Sequence, residues 1–159
     1  MNYIKDQKDL FGKIVLLRLD LNVPIINGRI TDETRINKIL PIFKFLIDKK
    51  CKIVALSHIG RPKGKKIKDL SLKPVCENLK IKLNKEIKLA TKNISELNKT
   101  NIFNNPNDEI IFLENIRFYE EEERNDITFS EQLSKLADIY VNDAFSCSHR
   151  EHASVSNIT

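Results

Sequence analysis

The residues best suited to chemistry fall in short polar clusters. These are Asp20-Leu21-Asn22, Ser57-His58-Ile59-Gly60-Arg61, Glu114-Asn115-Ile116-Arg117, Asn142-Asp143 and Ser148-His149-Arg150-Glu151-His152, with Arg35 standing between the first two. The chain has 20 lysines but 7 arginines, and Arg35, Arg61, Arg117 and Arg150 are in this set together with all 3 histidines. An arginine grips phosphate or carboxylate through a planar fork, where a lysine offers a point charge. A site built this way wants a small ligand with more than one negative group. Taken singly, each cluster has an ordinary explanation. Asp20-x-Asn22 is a common turn former, a histidine after a strand is more often simply satisfied, Glu114 can pair with a lysine, and Lys63-Gly64-Lys65-Lys66 reads as a solvated basic turn.

The elements that would hold these clusters alternate between strand and helix. Ile14–Leu19, Lys52–Leu56, Glu109–Leu113 and Ile139–Val141 are short apolar runs that read as buried strands, with a weaker one at Ile87–Leu89. Between them, Ile36, Ile39, Leu40, Phe43 and Ile47 mark one helical face, and Leu72, Val75, Cys76, Leu79 and Leu83 repeat it. Ser71 is the expected cap of that second helix, with Pro74 in its first turn. Thr128 and Glu131 have capping-box spacing before a face of Phe129, Leu133, Leu136 and Ala137. The Asn104–Asp108 segment reads as a turn, Glu120–Glu123 as a solvated acidic loop, and Ala153–Thr159 as a tail without a closing helix. Alternation of this kind predicts a doubly wound α/β domain, Rossmann-like, with a parallel sheet and helices on both faces. Each polar cluster then follows a strand. The carboxyl ends of parallel strands share one edge, where ligands bind, so the clusters should converge, and Arg35 at the start of the first helix should join them.

Composition narrows the class. A hydrophobic fraction of 41% is globular, and 159 residues is a one-domain length. No apolar run approaches the ~20 residues of a membrane span, and Met1–Gln7 lacks the apolar stretch of a signal peptide. A cytoplasmic protein without membrane attachment is expected. Cys51, Cys76 and Cys147 form no C-x-x-C pair and read as free thiols, and the histidines do not pair with them at zinc spacing, so no metal is expected. A net charge of +5 suits any anionic partner. A nucleic-acid binder would want an aromatic platform or a basic helix, and neither is present.

The clusters also resemble a known family. Arg18-Leu19-Asp20-Leu21-Asn22-Val23-Pro24, Ser57-His58-Ile59-Gly60-Arg61-Pro62, Leu113-Glu114-Asn115-Ile116-Arg117-Phe118 and Tyr140-Val141-Asn142-Asp143-Ala144-Phe145, followed by His149-Arg150 and His152-Ala153-Ser154, are similar to four signature blocks of the phosphoglycerate kinases, in the family's order. The resemblance implies an N-terminal substrate-binding domain over 1-159, truncated near its C-terminal end. It implies 3-phosphoglycerate or 1,3-bisphosphoglycerate as ligand, bound by Asp20, Leu21, Asn22, Arg35, His58, Ile59, Gly60, Arg61, Arg117 and Arg150. Asp20 and Asn22 would take the hydroxyl and carboxylate end. His58, Arg61, Arg117 and Arg150 would clamp the 3-phosphate. Arg35, the catalytic residue, would meet the phosphoryl group in flight. By the same resemblance the complete enzyme is monomeric, and Mg-ATP/ADP is held by a C-terminal nucleotide domain.

Ser146 and Glu151 depart from the family pattern, where Gly and a small residue are usual. With 4 glycines, no G-x-G-x-x-G and no P-loop can be written, so no nucleotide is expected on this chain alone. Two functions stay open. One is the substrate half of a phosphoglycerate kinase, working in reversible phosphoryl transfer of glycolysis and gluconeogenesis. The other is an isolated fragment that binds 3-phosphoglycerate, or nothing, without turnover.

Overall fold

The computed structural model describes residues 4–144 and 151–158. Its central strand, β1 (Ile14–Arg18), is apolar up to its last residue, Arg18, and buried on both faces. β1 is flanked by β4 (Lys52–Leu56) on one side and β7 (Ile139–Asn142) on the other, so that Leu17 lies between Ala55 and Val141. β6 (Ile110–Phe112) adds beyond β4, and β5 (Ile87–Leu89) forms the far edge. The sheet runs β5-β6-β4-β1-β7 and every pairing is parallel. The strands expected from sequence are all here, including the weak one.

Side chains alternate across a strand, so each of these strands feeds two cores. Val15, Leu17, Ile53, Ala55, Ile110 and Phe112 pack on one face with α1 (Thr34–Asp48) and α2 (Lys73–Leu83). Leu16, Val54, Leu56, Ile111 and Leu113 pack on the other with α4 (Ile127–Ser134) and the chain around Ile94–Ile102. That double burial is why the strands read as continuous apolar runs rather than alternating ones. α1 buries Ile36, Ile39, Phe43 and Leu46, while Ile47 of the expected face is half-buried.

The structure corrects several local expectations. The cap position of α2 is Leu72, one residue after the expected Ser71, although Ser71 Oγ does accept from the N–H of Lys73, the first helical residue, at 3.2 Å. The Leu72 N–H donates to Oε1 of Glu114 at 2.8 Å and Ser71 Oγ to Oε2 of the same carboxylate at 2.7 Å, so Glu114 shares in capping the helix from just beyond β6. The cap of α4 is Asp126, which accepts from the Phe129 N–H at 2.8 Å, two residues before Thr128. Asn27-Gly28, with φ 50° and 72°, closes a two-residue hairpin between β2 (Ile25–Ile26) and β3 (Arg29–Ile30). The acidic run is α3 (Glu120–Glu123), one helical turn whose Glu122 is fully buried. Ala153–Asn157 is a π-helical turn, with Ala153, Ser154 and Val155 buried.

Both described cysteines are core residues. Cys51 donates to the Leu10 carbonyl at 3.3 Å, and burial pushes the Cys76 thiol up to about 12. The reactive species is the thiolate. A soluble disulfide reagent at pH 8 is thus expected to titrate no more than one of the 3 thiols in the native chain and all of them in denaturant. Rapid labelling of Cys76 under native conditions would contradict its burial.

Candidate functional site

The connection leaving β4 runs toward β5 and the one leaving the adjacent β6 runs toward β7, in opposite directions. Beyond the carboxyl ends of these two strands the loops part, which is where an open parallel sheet binds ligands. The first loop turns at once. The Leu19 N–H continues the ladder to the Leu56 carbonyl at 2.9 Å, and the Leu21 N–H donates to Ser57 Oγ at 3.0 Å. Ser57 Oγ in turn donates to the Leu19 carbonyl at 2.8 Å. Leu21 is buried in the core, so Asp20 and Asn22 on either side of it point the other way.

Three of the loops are tied to one another. Asn22 Oδ1 accepts from the Gly60 N–H at 2.9 Å, and the Gly60 carbonyl accepts from a terminal nitrogen of Arg117 at 3.1 Å. Asn115 Nδ2 donates to the Ile59 and Leu70 carbonyls, each at 2.8 Å, while its Oδ1 accepts from the Arg117 N–H at 3.1 Å. The ends of β1, β4 and β6 thus form one hydrogen-bonded unit. Gly60 sits at its centre with φ 64°, and a Cβ there would lie 2.9 Å from a methyl of Leu70. Gly60→Ala meets both the left-handed backbone and that contact. It should cost about 1–3 kcal/mol, read as a lowered urea midpoint, and an unchanged midpoint would mean that the loop is not held as described.

The predicted site residues divide by accessibility. Arg35 and Arg61 are exposed, and Arg35, on the first turn of α1, forms an ion pair with Asp20. His58 and Arg117 are buried, at 4% and 3% exposure. The side chains of Leu21 and Ile59 belong to the core, so only their backbone can meet a ligand. Arg150 lies outside the described residues, as do His149 and Ser146. Asn22, Gly60 and Arg117 are joined by direct bonds, Asp20 pairs with Arg35, and His58 is bonded to Arg18. Two cavities of about 430 and 600 Å³ lie elsewhere, one at the ends of β5 and β6 and one between the β2–β3 hairpin and α2.

Sequence reasoning gave no role to Arg18, Ser57, Asn115, Glu122 or Ser154, all fully buried polar side chains. For the first three the signal was available: a polar residue inside or directly after an apolar strand must find partners. Among the described residues no helix is long and apolar enough to cross a membrane, and no group of His, Cys, Asp and Glu is placed to hold a metal ion.

The fold and the loop set define a doubly wound, Rossmann-like α/β domain whose loops after β1, β4 and β6 gather polar residues and arginines at one edge of the sheet. The family model for phosphoglycerate kinase matches residues 4–159, and the chain belongs to that family. It is 53% identical over 151 residues to the phosphoglycerate kinase of Wolbachia pipientis subsp. Culex pipiens (strain wPip), an alignment covering 95% of this chain and 38% of the relative. Identity to the phosphoglycerate kinase of Dictyoglomus turgidum is 49% over 151 residues, again 95% and 38%. Among solved structures, the phosphoglycerate kinase of Coxiella burnetii superposes with a TM-score of 0.82 at 36% identity, over 98% of this chain and 38% of that one. The Pyrococcus horikoshii OT3 enzyme gives 0.84 at 28%, over 99% and 40%. The chain thus spans about 38% of the length of its curated relatives.

Proposed function

We propose that residues 1-159 form the 3-phosphoglycerate-binding half of a phosphoglycerate kinase, serving reversible phosphoryl transfer between 1,3-bisphosphoglycerate and ADP in the cytoplasm. The observation that carries this reading is the bonded unit of three loops after β1, β4 and β6, which sets Asp20, Asn22, Gly60 and Arg117 beside the exposed Arg35 and Arg61. Phosphoryl transfer leaves the protein mainly positioning and charge stabilisation. Asp20 and Asn22 take the hydroxyl and carboxylate end of the ligand. Arg61, Arg117 and Arg150 clamp its 3-phosphate with their charge, and His58 clamps it as a hydrogen-bond donor. Arg35 answers to two anions, the Asp20 carboxylate in the free chain and the transferring group in the reacting complex, and its guanidinium keeps its proton throughout.

The residues of this chain do not fit a nucleotide. Gly12, Gly28, Gly60 and Gly64 each lie in separate turns, none at the first turn of a helix, and no Gly-rich cradle follows a strand. Mg-ATP or Mg-ADP would be held by a further domain of a full-length family member, with which this one acts as a monomer.

Calorimetry with 3-phosphoglycerate and with ATP tests the reading. The 159-residue chain should bind the first saturably and the second far more weakly. At 100 times the dissociation constant the ligand adds about 2.7 kcal/mol, a rise in Tm of roughly 5–11 °C for this size. Tight ATP binding, or no rise with 3-phosphoglycerate, would overturn it. Binding without any turnover in a coupled assay would favour a binding module acting only beside a nucleotide domain.

A further inference from the structure

A line of buried polar groups runs from α3 to the proposed site. Glu122 is fully buried, and both its oxygens are engaged by one residue of the π-turn. Oε1 accepts from Ser154 Oγ at 2.5 Å, and Oε2 accepts from the Ser154 N–H at 2.9 Å. Since the Ser154 hydroxyl proton goes to Glu122, its oxygen is left to accept, and Arg18 Nε donates to it at 3.1 Å. Arg18 is also fully buried. One terminal nitrogen donates to the Leu19 carbonyl at 2.7 Å, and the other lies 3.2 Å from His58 Nδ1.

A guanidinium has five donors, no acceptor, and does not give up its proton in a protein. The bond between Arg18 and His58 therefore has one polarity: Arg18 donates and Nδ1 accepts. A ring that accepts at Nδ1 carries its proton on Nε2. Every donor in the line is thus oriented by the one before it. The line is also electrically closed. A buried guanidinium without a counter-charge is costly, and Glu122 supplies that charge. Burial pushes the Glu122 carboxyl above the usual carboxylate range, against the pull of the Ser154 hydrogen bonds and of the Arg18 and Arg117 charges. The π-turn is pinned from two further sides, where Tyr140 donates to the Ser154 carbonyl at 2.5 Å and Ser130 Oγ donates to the Ala153 carbonyl at 2.9 Å.

We propose that Glu122 and Ser154 are positioning residues which, through Arg18, hold His58 in the neutral ring form protonated on Nε2, so that the ring meets an anionic ligand as a fixed hydrogen-bond donor. The proposal deepens the substrate reading above and rests on it where it speaks of a ligand. His58 then needs no proton from solvent to bind a phosphate oxygen. It also means that a residue 64 positions away in sequence sets the tautomer of a site residue.

The test reads the imidazole nitrogens by ¹⁵N NMR on the 159-residue chain at pH 7.5 without ligand, with the His58 signals assigned by their loss in His58→Gln. The native chain should show the Nε2–H tautomer. Ser154→Ala removes the hydroxyl that joins Glu122 to Arg18, and should give a mixture of the two tautomers together with an about 2–10-fold weaker 3-phosphoglycerate affinity. Ser154→Thr keeps the hydroxyl and should restore both. Ser156→Ala, in the same turn, should move neither, which separates orientation from simple loosening of the turn. Glu122→Gln should act like Ser154→Ala. Should that variant fail to fold, the Ala and Thr pair at position 154 decides alone. An Nδ1–H or charged His58 in the native chain, or an unchanged tautomer in Ser154→Ala, would overturn the proposal. Because the tautomer is read without ligand, a native chain with the expected tautomer and no affinity for 3-phosphoglycerate would sink the substrate reading and leave the positioning intact.

Discussion

Phe112→Ala is expected to remove about 3–5 kcal/mol of folding stability, with a fall in Tm of roughly 6–20 °C for a domain of this size. Phe112 closes β6, in register with Ala55 and Leu89, and is fully buried. Its ring stacks on Phe43 of α1 with centroids 6.2 Å apart and planes 23° from parallel. The space left by truncation lies between a sheet and a helix that are both held elsewhere, so little collapse can refill it, and the cavity penalty adds to the lost transfer energy. Phe11 offers the contrast. At 78% exposure its replacement by Ala should stay within about 0.5 kcal/mol. Urea denaturation of the two variants beside the parent checks both values. A loss under about 1 kcal/mol for Phe112→Ala would mean that the two-sided packing of β6 is wrong.

Arg61→Met is expected to weaken 3-phosphoglycerate binding by about 10–150-fold, the worth of a charged hydrogen bond of about 1.5–3 kcal/mol. Arg61 is exposed in the free chain, so the change should leave the urea midpoint in place, and the whole effect should appear in calorimetry. Arg61→Lys retains the charge and loses the fork, so it should fall between the parent and Met. Lys65, also exposed, is a charge-matched control, and Lys65→Met should alter affinity less than about 2-fold, as for a screened surface charge. Equal losses at positions 61 and 65 would show that the attraction is diffuse and that no fork grips the ligand.

The scaffold was legible because its strands are buried on both faces. A run such as Ile53-Val54-Ala55-Leu56 has no polar positions to confuse its boundaries. The convergence of Asp20, Gly60 and Arg117 followed from the same source, since parallel strands place their following loops on one edge. What escaped were features decided by partners remote in sequence. Glu122 sits among four glutamates, and nothing local separates it from its neighbours. Its burial is set by Ser154, 32 residues on. Ser71 looked like a cap because its type is right, and its hydroxyl does accept from the Lys73 N–H, but nothing local pointed to the carboxylate of Glu114, 42 residues from Leu72, which takes the Leu72 N–H. Asp126 and Thr128 are both good capping residues, and the spacing to Glu131 favoured the wrong one. The β2–β3 hairpin has strands of two residues each, too short for any alternation to register, although Asn27-Gly28 is the turn dipeptide such a hairpin prefers.

The place of β1 at the middle of the sheet has a consequence for the order in which the chain is made. One neighbour, β4, is complete at Leu56, but the other, β7, ends at Asn142. Those 86 intervening residues take roughly 4–17 s to synthesise at about 5–20 residues per second. During that interval a nascent β1 paired with β4 would present, on a strand of apolar side chains, a row of unpaired N–H and C=O groups with nothing alongside it, the template on which strands of neighbouring chains add. Leu16 and Leu17, fully buried in the finished domain, would be at that seam. The growing polypeptide is therefore most prone to aggregate on the ribosome, before residue 142 has emerged, and a holdase that covers short apolar segments would act there rather than on the completed fold.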